Sequence, residues 1–109
     1  MLVGAPGGRR ILDTCTQVVL NVLEYGSGIQ KAVSDPLVDT SVPEITQIDA
    51  RVAQSTRTQL ESRGHELAVR EPDFLPHHFA SPSGIVRDFD TKELRGGVDP
   101  YAQGIAAGY

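Results

Sequence analysis

The sequence is poor in cysteine, aromatic residues and basic charge, and each shortage excludes a class of protein. It has one cysteine and no tryptophan among 109 residues, with three tyrosines and three phenylalanines. A single cysteine excludes an intrachain disulfide framework and a metal site with several thiolate ligands. The formal net charge of −4 argues against nucleic-acid binding, which favours a basic patch. No apolar run reaches membrane-spanning length. From the charge and from this pattern, we expect neither a nucleic-acid partner nor a membrane span.

The remaining composition fits one small globular domain over residues 1–109. Hydrophobic residues make up 39% of the chain, and 11 glycines and 7 prolines indicate many turns. A domain of this length leaves a large share of its surface exposed. The three residues before Gly4 are too few for the apolar core of a signal peptide. We therefore expect no signal peptide in this sequence and leave the compartment open.

A glycine-rich turn, Gly4–Ile11, leads directly into the most strongly patterned helix of the chain. Pro6 fixes its own φ, whereas Gly7 and Gly8 accept backbone angles that a Cβ would forbid. Two glycines before a helix can point bare N–H groups at one spot, where the helix N-terminus adds roughly half a positive charge. The turn therefore predicts a site for a phosphate, a carboxylate or the oxyanion of an attacked acyl carbon. A turn that only guides the chain into the helix is the alternative for so short a motif.

Residues 11–25 are predicted to form this helix, ended by Gly26. Asp13 and Gln17 lie opposite the apolar side, and Leu20 between them suggests partial burial on a second face. Cys15 is interpreted as a small buried hydrophobic residue rather than a nucleophile. The side chains that share the apolar stripe are Ile11, Cys15, Val18, Val19, Val22 and Leu23.

The rest of the chain is expected to form short elements separated by turns. A short helix at 28–33 is followed by a loop over 37–44. Further predicted elements are a strand at 45–48, a helix at 50–63, a strand at 66–69, and a hairpin of strands 78–80 and 85–89 joined by 81–84. The tail from Gly96 is expected to be a loop.

Few other side chains suggest a ligand. His77 and His78 are adjacent, and on a strand they would point to opposite faces, so we expect no metal and no other cofactor. Arg9 and Arg10 could help hold an anion at the helix terminus, or one of them could pair with a carboxylate. That choice stays open.

The order of the motifs resembles the γ-glutamyltranspeptidase family. In that family a Gly-Ser-Pro-Gly-Gly turn leads into a long helix, a short second helix and an Ala-Pro-Arg-Phe stretch. This chain has the same order: a glycine turn at 3–11, a helix that ends at 24–26, a second helix at 29–33, and then Asp35-Pro36. The end of the chain, at 99–100 and 106–109, is also similar to that of the family. It departs from the family at Leu37–Thr40, where members usually have Arg-Phe-His-His or similar.

The resemblance implies an α+β fold: a fragment of the αββα sandwich of N-terminal nucleophile hydrolases, with helices around an antiparallel sheet. Residues 1–109 would be the C-terminal portion of the small subunit. In this family a precursor cleaves itself, and the new N-terminal Thr attacks a γ-glutamyl amide such as that of glutathione. Gly7 and Gly8 take the place of the glycines whose N–H groups form the oxyanion hole. Pro6 and Arg9 are weaker candidates for contact with substrate.

The family's Thr nucleophile, and the Arg and Asp that hold the glutamyl group, lie upstream of the matched region. We therefore expect the isolated chain to be inactive and to need the preceding part or the large subunit of the same enzyme, or to form a homo-oligomer. Family members are often exported. Three alternatives remain: a catalytically silent interaction module, a fragment of a related amide acylase, and a small anion- or nucleotide-binding domain. The last lacks a Walker lysine and Gly-x-Gly-x-x-Gly spacing.

Overall fold

The computed structural model describes residues 1–74 and 78–108, which form two three-stranded sheets and three helices. A 3-10 turn at Gly8–Arg10 leads into the first helix. The strands are β1 (Leu2–Gly4), β2 (Val38–Asp39), β3 (Thr46–Asp49), β4 (Leu67–Arg70), β5 (Ser83–Arg87) and β6 (Leu94–Val98), and the helices are α1 (Ile11–Leu23), α2 (Ile29–Ser34) and α3 (Gln54–Ser62). In these residues no helix combines the length and apolar character needed to span a bilayer.

The first sheet has the order β1-β5-β6, and both pairings are antiparallel. The row Val3, Gly84, Gly97 faces the helices, because a Cβ added at Gly84 would lie 2.8 Å from Ile29 Cδ1. A Cβ at Gly97 would lie 2.8 Å from the Cα of Gln30 in α2. The two strand glycines therefore allow α2 to pack directly on the sheet backbone.

The core lies between this sheet and the two helices. Its buried centre is Val18 of α1 with Ile29, Ala32 and Val33 of α2. Full burial of a valine or isoleucine side chain contributes about 1.5–3 kcal/mol. The packing partners that complete the cluster are Val3, Val22 and Val86.

The apolar stripe predicted for α1 is only partly buried. Val18 is fully buried, but Leu23 is 71% exposed, and Leu20 is 48% exposed where partial burial was expected. The buried side of the helix also includes Thr14. Gln17, on the predicted polar side, is half-buried and bonds to β2.

The second sheet has the order β2-β3-β4, with β2 and β3 antiparallel and β3 and β4 parallel. Helix α3 connects the two parallel strands and carries no fully buried side chain. It is shorter than the predicted helix 50–63 because the chain first turns at Asp49, whose carbonyl and Oδ1 accept the N–H groups of Val52 and Arg51.

Three local predictions were wrong. The proposed hairpin of 78–80 with 85–89 does not form; β5 instead pairs with β1 and β6, and its Gly84 lies inside the strand. The tail predicted as a loop from Gly96 contains the end of β6. The predicted loop 37–44 contains the two-residue strand β2, which β3 and the side chain of Gln17 hold in place.

Candidate functional site

The glycine turn lies at the end of the β1–β5 ladder and opens to solvent. Pro6, Gly7, Gly8 and Arg9 are exposed. Beyond the last paired residues of the ladder, the N–H of Ser81 donates to the carbonyl of Pro6 at 3.2 Å. The turn therefore stays attached to β5 on one side and enters α1 on the other.

Gly7 and Gly8 are required for different reasons. Gly7 has φ 151° and ψ 12°, and a Cβ there would lie 2.5 Å from Ala80 Cβ and 2.9 Å from Ala80 Cα. Gly8 has φ 61°, and a Cβ there would meet nothing within 4 Å. Close packing against Ala80 therefore demands glycine at position 7, whereas the left-handed backbone favours it at position 8.

The hydrogen bonds that the turn's carbonyl groups accept fix the orientation of its N–H groups. A peptide unit is planar and trans, so a C=O and the N–H that follows it point in opposite directions. The Pro6 carbonyl accepts from Ser81, and the Gly7 carbonyl accepts from the N–H of Arg10 at 3.3 Å. The N–H groups of Gly7 and Gly8 themselves donate no hydrogen bond to any residue in 1–74 or 78–108. Both are therefore available to an acceptor from outside the described chain.

Two features of the turn favour a negatively charged ligand. The N-terminus of α1 follows the 3-10 turn, and the exposed Arg9 lies beside Gly8. A helix N-terminus carries roughly half a positive charge from its unpaired N–H groups. Arg10, by contrast, turns toward the protein, where its Nε lies 3.7 Å from Oδ2 of Asp39. The choice left open for the two arginines is resolved for Arg10, which pairs with a carboxylate.

Side chains of helix α1 also form hydrogen bonds with the residues on both sides of Asp39. The side-chain amide of Gln17 donates to the carbonyl of Val38 at 2.6 Å and accepts from the N–H of Val38 at 2.9 Å. Oδ2 of Asp13 accepts from the N–H and the hydroxyl of Thr40, at 2.6 and 2.8 Å. Sequence reasoning missed this contact, although the spacing of Arg10, Asp13 and Gln17 places the three side chains near one face of the helix start.

The other candidate residues that the structure describes do not join the turn. Cys15 is half-buried, and burial raises the pKa of its thiol, which keeps it protonated and poorly nucleophilic. His77 lies outside the described residues, and so does Tyr109 at the chain end. Among the described residues no three His, Cys, Asp or Glu side chains come close enough together to hold a metal ion.

Comparison with known protein families matches residues 1–109 to the family described as Gamma-glutamyltranspeptidase. The glutathione hydrolase proenzyme of Pseudomonas sp. (strain A14) is 33% identical over 117 residues, which cover 100% of this chain and 20% of that protein. The chain thus spans about a fifth of the length of this relative.

Solved structures show the same fold. The γ-glutamyltranspeptidase from Pseudomonas nitroreducens, complexed with L-DON, superposes with a TM-score of 0.81 at 22% identity, over 98% of this chain and 54% of that chain. Cephalosporin acylase from Bacillus halodurans superposes with a TM-score of 0.89 at 25% identity, over 98% of this chain and 19% of that chain. The expected α+β class, a part of the N-terminal nucleophile hydrolase fold, is confirmed. The match over its whole length and the identity to a glutathione hydrolase show that this chain belongs to the γ-glutamyltranspeptidase family.

Proposed function

We propose that this chain is the C-terminal portion of the small subunit of a γ-glutamyl transferase or hydrolase, with residues 1–109 as one domain. In this role Gly7 and Gly8 donate their N–H groups to the oxyanion that forms when a γ-glutamyl amide, such as that of glutathione, is attacked. The attacking Thr comes from another part of the complete enzyme. Pro6 shapes the turn, and Arg9 adds positive charge beside it.

The observation that carries this proposal is the pair of unused N–H groups in an exposed, anchored turn. Both glycine N–H groups lack an acceptor among the described residues, while the carbonyls of Pro6 and Gly7 are bonded. Preorganised donors of this kind stabilise the charge that develops in a transition state, because they need no rearrangement during the reaction. The N-terminus of α1 and Arg9 favour the same negative charge.

The partner that we propose is the rest of the same enzyme. Helices α1 and α2 cover one face of the first sheet, and among the described residues the tail around Ala106 approaches the other face at Gly96. That other face has a groove of about 1030 Å³, lined in part by Leu2, Ile85, Leu94 and Ile105. A sheet of a globular domain buries its apolar face against another layer. We infer that a second β-layer from the remainder of the enzyme covers this face.

A related amide acylase is the second candidate. It is favoured by the high structural similarity to cephalosporin acylase from Bacillus halodurans, with a TM-score of 0.89. An oxyanion hole serves any acyl transfer, so the glycine turn fits both reactions. The residues that select the acyl group lie upstream of the matched region.

The test has two parts. The purified chain is incubated with a chromogenic γ-glutamyl anilide, and we expect no turnover above buffer. Residues 1–109 then replace the matching segment of the Pseudomonas sp. (strain A14) glutathione hydrolase proenzyme. We expect this chimera to cleave itself and to hydrolyse the anilide. In the chimera, Gly8→Ala keeps the N–H but disfavours the left-handed φ of 61° that orients it. It should lower kcat by roughly 100-fold or more, the scale of loss when an oxyanion donor no longer acts.

The matched control is Gly26→Ala. Gly26 also has a left-handed φ, 67°, and a Cβ there likewise meets nothing within 4 Å. It therefore carries the same backbone cost far from the turn. Denaturing gels show whether each precursor has been cleaved, which separates lost turnover from lost maturation. Equal kcat in Gly8→Ala and Gly26→Ala, with both precursors cleaved, would refute the oxyanion role.

A further inference from the structure

We propose that Asp39 is a positioning residue for the glycine turn and acts through Arg10; this rests on the proposed role of Gly7 and Gly8. Asp39 ends β2 and has a side chain that is 2% exposed. Its Oδ2 lies 3.7 Å from Nε of Arg10. A carboxylate removed from water needs a charge partner and hydrogen bonds, and Arg10 supplies the charge.

The second sheet holds this carboxylate in a fixed place. Oδ1 accepts from the N–H of Ser41 at 3.2 Å, and Oδ2 accepts from the Ser41 hydroxyl at 3.1 Å and from Nε2 of Gln47 at 3.3 Å. Oε1 of Gln47 in turn accepts from Nε of Arg70 at 3.3 Å. Asp39 is therefore a rigid anchor to which the arginine is drawn, not a mobile surface charge.

The backbone of Arg10 transmits this constraint to the glycines. Its N–H donates to the carbonyl of Gly7. That carbonyl belongs to the same planar peptide unit as the N–H of Gly8. A change in the position of Arg10 therefore rotates the Gly8 N–H, which donates to no described residue. Gly7 is held separately, through the Pro6 carbonyl and Ser81.

The same strand is fixed to α1 on both sides of Asp39. Val38 is paired with Gln17, and Thr40 with Asp13. These bonds keep β2 at a constant distance from the start of the helix, so the pair of Arg10 and Asp39 acts across a rigid gap. The stretch that departs from the family motif, 37–40, thus carries its own link to the glycine turn.

The experiment uses the full chain labelled with ¹⁵N only at glycine, which gives amide signals for its 11 glycines. Asp39→Asn and Arg10→Gln should each displace the Gly8 signal, with a smaller effect on Gly7, while Gly64 and Gly97 keep their positions. The double variant carries two neutral amides that can bond to each other, and it should return the Gly8 signal toward its native position. Asp35→Asn is the matched control, since it removes the carboxylate of the exposed pair with Lys31.

A Gly8 signal that stays in place in both single variants would overturn the positioning role and leave the oxyanion role standing. Equal kcat in the Gly8→Ala and Gly26→Ala chimeras would overturn the oxyanion role, while the effect of Asp39 on the position of the Gly8 N–H would still stand. If the isolated chain gives no dispersed glycine signals, the same variants are compared in the chimera. There we expect kcat to fall with KM unchanged in each single variant, and to recover in the double variant. If the fold-loss of kcat in the double variant equals the product of the fold-losses in the two single variants, the proposal is contradicted.

Discussion

Cys15 shows how one helical position separates a structural thiol from a reactive one. The side chain is half-buried on α1, and this burial raises the pKa of the thiol above its ordinary value. The neutral thiol, not the thiolate, is the form compatible with that environment. Because the folded pKa is the higher one, the resulting stability is fully present below the unfolded pKa and is lost as pH rises through the folded pKa.

We therefore expect Cys15 to react slowly with a disulfide reagent at pH 8. The rate in the native chain should be well below the rate in the urea-unfolded chain, because only the thiolate attacks. The control is the double variant Cys15→Ser/Thr16→Cys, which moves the thiol to the exposed neighbouring position. Its native and unfolded rates should be similar. Equal rates for native and unfolded Cys15 would show that burial does not suppress the thiolate.

Only some residues of the candidate site can be predicted from the sequence. Gly7 and Gly8 could be proposed from the sequence because their place before the helix matches a family motif, whereas two glycines alone also fit a turn that only guides the chain into the helix. Asp39 could not be linked to Arg10, since 28 residues separate them and no local pattern encodes the pairing. Ala80, which packs on Gly7, carries no chemical signal at all.

Among the elements, α1 was predictable and the edges of the first sheet were not. The spacing of apolar side chains in α1 is a local property of the sequence. Strand β6 contains Gly96 and Gly97, which have low strand propensity and indicate a loop. They are strand residues because other parts of the chain approach them from opposite sides of the sheet. A Cβ added at Gly97 would lie 2.8 Å from Gln30 Cα in α2, and a Cβ added at Gly96 would lie 2.8 Å from Ala106 Cβ in the tail. Tertiary packing therefore decides this element.

The contact between α2 and β6 gives a prediction for Gly97→Ala. The new Cβ would approach three backbone atoms of α2, at 2.8, 2.9 and 3.0 Å, and backbone atoms cannot rotate away as a side chain can. We expect the free energy of unfolding, measured in urea, to fall by about 1–3 kcal/mol, the usual cost of overpacking.

Gly4→Ala is the control for this element. Gly4 also lies in a strand of the first sheet, yet a Cβ there meets nothing within 4 Å. Its stability should stay within about 0.5 kcal/mol of the native chain, as for most surface substitutions. If both variants lose the same amount, the close approach of α2 is not what selects glycine at position 97.

The whole molecule has more surface than a self-sufficient domain. Its accessible area is 7221 Å², whereas a folded monomer of 11.7 kDa has about 5,900 Å². Its radius of gyration is 14.6 Å, against about 13 Å for a compact chain of this length. The excess area is comparable to one side of a permanent interface. Large apolar side chains on the open face of the first sheet, including Leu2, Ile85 and Leu94, contribute to it.

We expect the isolated chain to self-associate at micromolar concentration through this open face. Ile85→Lys should lower the weight-average mass in analytical ultracentrifugation, because a charge desolvated in the interface is costly. Val69→Lys is the matched control: Val69 is 45% exposed on the second sheet, close to the 49% of Ile85. A compact monomer that binds no hydrophobic dye would contradict the prediction, and so would equal effects of the two lysines.

Helix α3 provides a place from which the assembly can be observed without disturbing it. None of its side chains is fully buried, and it connects two strands of the second sheet. A cysteine introduced at the exposed Ser55 would take a fluorescent dye under mild alkaline conditions, while the protonated thiol of Cys15 reacts slowly. The natural sequence thus supports a singly labelled reporter chain, in which docking of the proposed remainder of the enzyme is read as a change in fluorescence anisotropy.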